Sequence, residues 1–365
     1  MNARTLWEEY CKQELALLVP ILSQHGYTLA EAQPHIAGER YLMQAITTTS
    51  GKKLILLGTH KDGSSVVIKA TRDTSGIEEL THERLCREVL HKIDFAAEIF
   101  NTPDVTLEMR GNGFVISITR FIPQETAFLE RPIHEQFDFA LRAFKGQESA
   151  HATTSKHRAL ISDTFGIRDA STYLTTFNTF VEKSTRALPE ETEIHARLIE
   201  ACALLTEHAQ TIEQYCGFLT HTDFVPHNFR IEGNTIILLD HSSLTFGNKY
   251  EGWARFINFM TLYNPELEHA LVQYVKDNRT HEESVSLRMM RIYRLGEIIW
   301  YYVRTLEGSE GNLLLLNQAR VHFWSDVLKA IIEDREVPLA LVLNYRDKRD
   351  SLRSEDEKLR QKGLH

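Results

Sequence analysis

The chain has 365 residues, a formal net charge of −9, and 42% hydrophobic against 25% charged residues. That balance excludes wholesale disorder and argues against a broad basic face for nucleic acid, and the length suits two domains or one two-lobed unit. No apolar run approaches the ~18 residues of a membrane span, and four cysteines without CxxC spacing (Cys11, Cys86, Cys202, Cys216) exclude a zinc ribbon and point to a reducing compartment.

Residues 3–24 place Trp7, Cys11, Leu15, Leu18 and Leu22 at helical spacing, with Pro20 as a kink, inside an N-terminal helical extension over residues 1–36. Glu8 and Glu9 lie where a signal peptide needs its apolar core, so a cytoplasmic protein is expected. The apolar period then changes from about 3.6 to about 2. Residues 41–49, 53–59 and 65–71 read as strands, with Asp62-Gly63 marking a tight hairpin between the second and third. A helix is expected over 77–93, followed by strands at 105–110 and 113–121 joined through Gly111-Asn112-Gly113. Residues 37–122 thus form a β-rich segment holding one helix.

Beyond it, helical periodicity dominates residues 123–346, with helices at 133–145, 169–186, 191–215, 251–262, 265–277, 284–306 and 312–333. The polar residues 146–158 read as a loop. One short hairpin interrupts, with strands at 228–231 and 235–239 turning at Glu232-Gly233-Asn234. Residues 347–365 are almost all charge and read as a solvated tail or frayed helix. The predicted class is α+β, a small β-rich lobe with one helix followed by a larger α-helical lobe.

The most informative stretch is His221-Thr222-Asp223-Phe224-Val225-Pro226-His227-Asn228, which leads into the hairpin; Asp240 follows the second hairpin strand. One carboxylate, an amide five residues on, and a second carboxylate delivered by a rigid hairpin form the set that phosphoryl transfer from a nucleotide requires. One acid orients or deprotonates the acceptor hydroxyl, while the amide and the second acid hold Mg²⁺ against the phosphates. The Asp-to-Asn spacing equals that of the kinase pattern H-R-D-x-x-x-x-N. Upstream, Val66-Val67-Ile68-Lys69-Ala70 puts Val67 and Lys69 on one strand face and Ile68 on the other, so Lys69 can point into a cleft. Taken singly, these residues would read as a turn, a cap, a strand end and a surface lysine; together they favour a phosphotransfer site.

The stretch resembles the catalytic loop H-G-D-x-x-P-x-N of the aminoglycoside phosphotransferase and choline kinase-like family, whose members share a two-lobed protein kinase-like fold. The resemblance implies that Asp223 is the catalytic base and that Asn228 and Asp240 are Mg²⁺ ligands. It implies that Lys69 matches the V-A-I-K lysine, which contacts the α/β-phosphates of ATP or GTP and pairs with a helix glutamate. Glu78, Glu79, Glu83 and Glu88 are candidates for that partner, and Glu83 is preferred because Cys86, Leu90 and Ile93 follow it at core spacing. The loop at 47–53, with Ser50 and the single Gly51, is no G-x-G-x-x-G; it suits phosphate cover or a plain polar turn. Thr119 and Phe121 fall where the family's hinge reads the base through backbone groups. Two departures stand out: Thr222 replaces the usual Gly, and Gly252 stands where a further Asp, read as structural, is expected.

The implied partners are a nucleotide and a small-molecule acceptor, with neither nucleic acid nor membrane. Two other readings compete. His221, Asp223, His227, Asp240 and His241 could form the cluster of a metal-dependent phosphohydrolase, which explains neither Asn228 nor Lys69. A catalytically silent kinase-like binding protein would have no need of Lys69, Asp223, Asn228 and Asp240. Glu251, Glu266, Glu268 and Glu297 suit a cationic acceptor, and Trp253, Trp300, Tyr301 and Tyr302 suit an ammonium group, although solvated surface and helix core more often explain such residues.

Overall fold

Alternation along one strand sets up the first lobe: Val66, Ile68 and Ala70 are buried while Val67 and Lys69 between them are partly exposed. The computed structural model describes residues 3–34, 51–93, 101–149, 157–355 and 358. Strands β1 (Tyr27–Leu29), β2 (Leu54–His60), β3 (Ser65–Thr71), β4 (Val105–Gly111) and β5 (Phe114–Arg120) form an antiparallel sheet in the order β1-β2-β3-β5-β4. One face packs its apolar residues, among them Leu56, Ile68, Ile116 and Ile118, against Leu18, Ile21 and Leu22 of helix α1 (Ala3–Gln24). Helix α2 (Thr74–Leu90) crosses below; Asp73 caps it, its carboxylate accepting from Gly76 N at 3.2 Å. Its buried Cys86 and Val89 belong to the core of the second lobe.

That second lobe is mostly helical: α3 (Ile133–Ser149), α4 (Arg158–Phe165), α5 (Ala170–Ala187), α6 (Thr192–Glu207), α7 (Ala209–Gln214), α8 (Glu251–Tyr263), α9 (Pro265–Asn278), α10 (His281–Leu306), α11 (Gly311–Ile332) and α12 (Leu339–Leu352). Between α7 and α8 lie β6 (Phe218–His221), the hairpin β7 (Phe229–Glu232) and β8 (Thr235–Leu238), and β9 (Leu244–Gly247), which pairs with β6. Helix α10 begins with a capping box, Thr280 with Glu283, and runs through the centre of the lobe against α5, α8 and α11. No helix among the described residues is long and apolar enough to cross a membrane.

Several expectations need correction. The N-terminal extension is not purely helical, because Tyr27–Leu29 adds an edge strand to the first lobe's sheet. The strand expected at 41–49 lies outside the described residues. The helix expected at 191–215 breaks at His208, and the polar stretch 146–158 ends beside the unexpected helix α4. The charged tail begins inside α12, which is anchored: Val342 and Tyr345 are buried and the Tyr345 ring stacks on Phe323 at 4.1 Å.

The centre of the lobe depends on one close approach. A Cβ on Gly296 of α10 would fall 2.2 Å from Cε2 of the fully buried Phe177 on α5. Gly296→Ala must push these helices apart, and overpacking of this kind costs about 1–3 kcal/mol. Urea unfolding should show a lower midpoint; an unchanged midpoint would mean that the helices have slack.

Candidate active site

Three segments far apart in sequence meet at Leu239. Its N–H donates to the carbonyl of Asn228 at 2.9 Å, tying the hairpin's end to the loop after β6. Its carbonyl lies 3.5 Å from Nζ of Lys69, which descends from β3 in the other lobe. Lys69 Nζ also donates to both carboxylate oxygens of Glu83, at 2.7 and 2.8 Å. Glu83 is therefore the lysine's partner, while Glu88 is spent on Arg84 at the surface. One turn on, Arg87 stands 3.9 Å from Glu83 and donates to Glu108 of β4, fixing α2 against the sheet. Burial would lower the Lys69 pKa, but the carboxylates of Glu83 and Asp240 outweigh it and hold the pKa above its ordinary value. The ammonium stays charged.

The loop itself is pinned from below. Phe224 and Val225 are fully buried, and the Phe224 ring stacks on Phe229 at 5.1 Å, so Asp223, His227 and Asn228 are left at the surface of the cleft. His221 is buried with Nε2 2.5 Å from the carbonyl of Asp240. A carbonyl can only accept, so the ring proton sits on Nε2, and burial lowers the pKa to keep the ring neutral. His221 thus holds the loop and Asp240 together.

Both carboxylates are ionised and well supported. Asp240 Oδ1 accepts from Ser242 N at 3.0 Å and Ser242 Oγ at 2.7 Å, and Oδ2 accepts from Ser243 Oγ at 2.9 Å. Burial would raise its pKa, yet the Lys69 ammonium and the serine hydroxyls hold it below the usual range. Asp223 Oδ1 accepts from Arg255 Nε at 2.9 Å, with Nη2 2.8 Å away in the same ion pair, and Oδ2 accepts from Asn228 Nδ2 at 2.8 Å. Burial again opposes ionisation, and the Arg255 guanidinium overcomes it, holding Asp223 well below the usual carboxylate range. Because Nδ2 of Asn228 bonds both the side chain and the carbonyl of Asp223, the amide's Oδ1 is directed away as an acceptor. An amide oxygen and a carboxylate oxygen on adjoining segments are the hard donors that Mg²⁺ takes, so the residues fit that ion.

No protein-family model and no curated protein matches the chain. Solved structures do. A thermostable mutant of the aminoglycoside phosphotransferase APH(4)-Ia, in a ternary complex with AMP-PNP and hygromycin B, aligns with a TM-score of 0.58 at 13% identity, covering 86% of this chain and 96% of that one. A mutant of aminoglycoside 2'-phosphotransferase-IIIa complexed with GDP gives 0.58 at 12% identity over 88% and 97%. The macrolide 2'-phosphotransferase MphH from Brachybacterium faecium gives 0.54 at 14% identity over 84% and 97%. The chain has the two-lobed, protein kinase-like fold of these phosphotransferases.

Within that fold, Gly252 has a structural explanation. Its N–H donates to Thr220 Oγ1 at 3.0 Å, and a Cβ there would lie 2.6 Å from Gln147 Oε1 and 3.2 Å from the carbonyl of His221. No aspartate fits. Gln147 instead accepts from His221 N at 3.4 Å, so Thr220 and Gln147 steady the loop. Neither residue was legible in the sequence. Arg255 was also missed, although it is the only basic residue in α8, between buried Ala254 and Phe256.

Other expected residues are placed as follows. Ser50 lies outside the described residues. Lys52 and Lys53, at the end of the same loop, are turned to Asp73 (3.9 Å) and Glu79. Thr119 stands opposite Val67 at the end of β5, and Phe121 N donates to Ser65 O at 3.0 Å where the chain leaves the sheet. Arg120 between them grips Glu232 at 2.7 and 3.0 Å, a strut between the lobes. The His/Asp cluster of a phosphohydrolase is not assembled: among the described residues no three His, Cys, Asp or Glu side chains are grouped to hold a metal. His241 is buried with both ring nitrogens unpartnered.

The acids expected to attract a cation are neutralised from within. Glu251 is buried against Arg168 (2.7 Å), Arg294 (3.4 Å) and the Tyr173 hydroxyl (2.7 Å). Glu268 pairs with Arg291 and Glu297 with Arg294, each at 2.6 Å, and only Glu266 is exposed. Trp253 is fully buried, and Lys183, Arg304 and Arg320 already cover Trp300, Tyr301 and Tyr302.

Lys69→Ala should lower the thermal midpoint without unfolding the protein, because buried Glu83 keeps only Arg87 at 3.9 Å while both lobes keep their cores. Nucleotide affinity and turnover should fall together. A collapsed midpoint with normal activity in the folded fraction would make the lysine structural.

Proposed function

We propose that the chain is a cytoplasmic small-molecule kinase that transfers the γ-phosphate of ATP or GTP to a hydroxyl of a small metabolite or aminoglycoside-like acceptor. The observation that carries this reading is the junction at Leu239, where Lys69, Asn228 and the approach to Asp240 come together in one cleft between the lobes. The similar solved structures support it, since their bound molecules include AMP-PNP, GDP and hygromycin B.

In this reading Lys69, oriented by Glu83, takes the α/β-phosphates, and the backbone at Thr119 and Phe121 reads the base. Ser50 covers the phosphates. The lobe at 37–122 carries the nucleotide, and the lobe at 123–346 carries the loop and the acceptor. Asn228 and Asp240 would hold Mg²⁺, which when bound would neutralise charge on the phosphate oxygens. Asp223 accepts the hydroxyl hydrogen bond and orients the attacking oxygen toward the γ-phosphorus.

A nucleotide-consumption screen with Mg²⁺ over metabolite and antibiotic libraries tests it. Acceptor-dependent release of ADP or GDP is expected. No nucleotide binding, together with no turnover of any acceptor, would overturn it.

A further inference from the structure

The proposed base is already paired. Oδ1 of Asp223 takes a hydrogen bond from Arg255 Nε, with Nη2 of the same guanidinium 2.8 Å away, and Oδ2 takes one from Asn228. Among the described residues Asp223 is the only carboxylate that Arg255 reaches. A guanidinium so placed competes with an acceptor hydroxyl for Oδ1, the oxygen turned away from Asn228.

The surroundings add positive charge without balancing it. Arg230, on the first hairpin strand, donates to the carbonyls of Phe229 at 2.9 Å and His227 at 3.4 Å, and makes no ion pair among the described residues. Arg255 and Arg230 both bear on the ring of His227, whose buried Nδ1 has no partner. Arg294, the next cation toward Asp223, is already tied to Glu251 and Glu297. Arg255 is therefore the arginine that faces Asp223 in this part of the cleft.

Resting on the kinase reading above, we propose that the acceptor is a hydroxy acid whose carboxylate pairs with Arg255, drawing the guanidinium off Asp223 as the hydroxyl arrives. One carboxylate replaces another on the arginine, so its charge is never left unpaired. The hydroxyl then takes the vacated Oδ1. In the transfer step the acceptor oxygen bonds to the γ-phosphorus as the bond to the β-phosphate oxygen breaks. The hydroxyl proton passes to Asp223, and the nucleoside diphosphate leaves. An acceptor without the carboxylate would have to displace Arg255 with nothing to receive it.

The test uses acceptors that share one skeleton: hydroxy acids such as glycerate, their primary amides, and amine analogues such as 3-amino-1,2-propanediol, over a range of chain lengths. Turnover of Mg²⁺-ATP and Mg²⁺-GTP is measured for the full chain, for Arg255→Lys and for Arg255→Met, with calorimetry of nucleotide binding alongside. The full chain should prefer at least one hydroxy acid over its amide and amine by tenfold or more in kcat/KM. Arg255→Met should lose most of that ratio, and Arg255→Lys should restore part of it; a merely structural arginine would lower all three acceptor types alike. If Arg255→Met fails to fold, the wild-type ratio and Arg255→Lys decide. Nucleotide bound, with amides or amines preferred or with no hydroxy acid consumed, overturns this inference alone. Absence of nucleotide binding and of all turnover overturns the kinase reading beneath it.

Discussion

Asp223→Asn is expected to lower turnover about 10²–10⁴-fold, or roughly 3–5 kcal/mol of barrier, while nucleotide binding stays nearly intact. The asparagine matches aspartate in shape, and its amide oxygen can still receive a hydrogen bond from Asn228. It cannot take a proton from the acceptor, and it presents no charge to Arg255. Lys69, Glu83 and Asp240 are untouched, because Lys69 pairs with Glu83 and Asp240 is held by His221, Ser242 and Ser243, none of them through the Asp223 side chain. Calorimetry of Mg²⁺-nucleotide binding beside a rate assay separates the two effects. Wild-type-like turnover would remove Asp223 from the mechanism, and lost nucleotide affinity would give it a binding role instead.

The sequence carried the site better than it carried the small elements around it. Lys69 and Glu83 were legible because a strand alternates and a helix repeats, so each position fixes a face. Asp223, Asn228 and Asp240 were legible because their spacing meets a chemical requirement. Strand β9 escaped because all four of its residues are buried, and a strand buried on both faces shows no alternation. Strand β1 is three residues long and pairs only at an edge. The break at His208 has neither glycine nor proline to announce it. The charges of α12 masked Val342 and Tyr345, the residues that anchor it. Arg255 illustrates the deeper limit. Its partner lies 32 positions away in sequence, and only the packing of α8 against the loop brings the two together.

The second large effect separates Mg²⁺ ligands from neighbouring imidazoles. Asn228→Ala removes an amide oxygen and also the Nδ2 contacts that steady Asp223, so the rate should fall sharply and the Mg²⁺ requirement should rise. Asp240→Asn isolates the metal's share, because Ser242 can still donate to the amide oxygen and the Ser243 hydroxyl can turn to accept from the amide nitrogen. Residues one step removed from a metal already change its affinity about 10–100-fold, and a direct ligand should do at least as much. His227→Ala should cost little, since its Nδ1 has no partner and its ring only edges against Phe259 at 6.1 Å. His241→Ala should lower stability by about 1–3 kcal/mol as a buried side chain is lost, without raising the Mg²⁺ requirement. Mg²⁺ titrations of nucleotide turnover for the four variants, each scaled to its folded fraction, decide the matter. Unchanged Asn228→Ala and Asp240→Asn beside inactive His227→Ala, with zinc retained by the purified protein, would overturn the Mg²⁺ assignment. Imidazole nitrogens, not hard oxygens, would then be holding the metal.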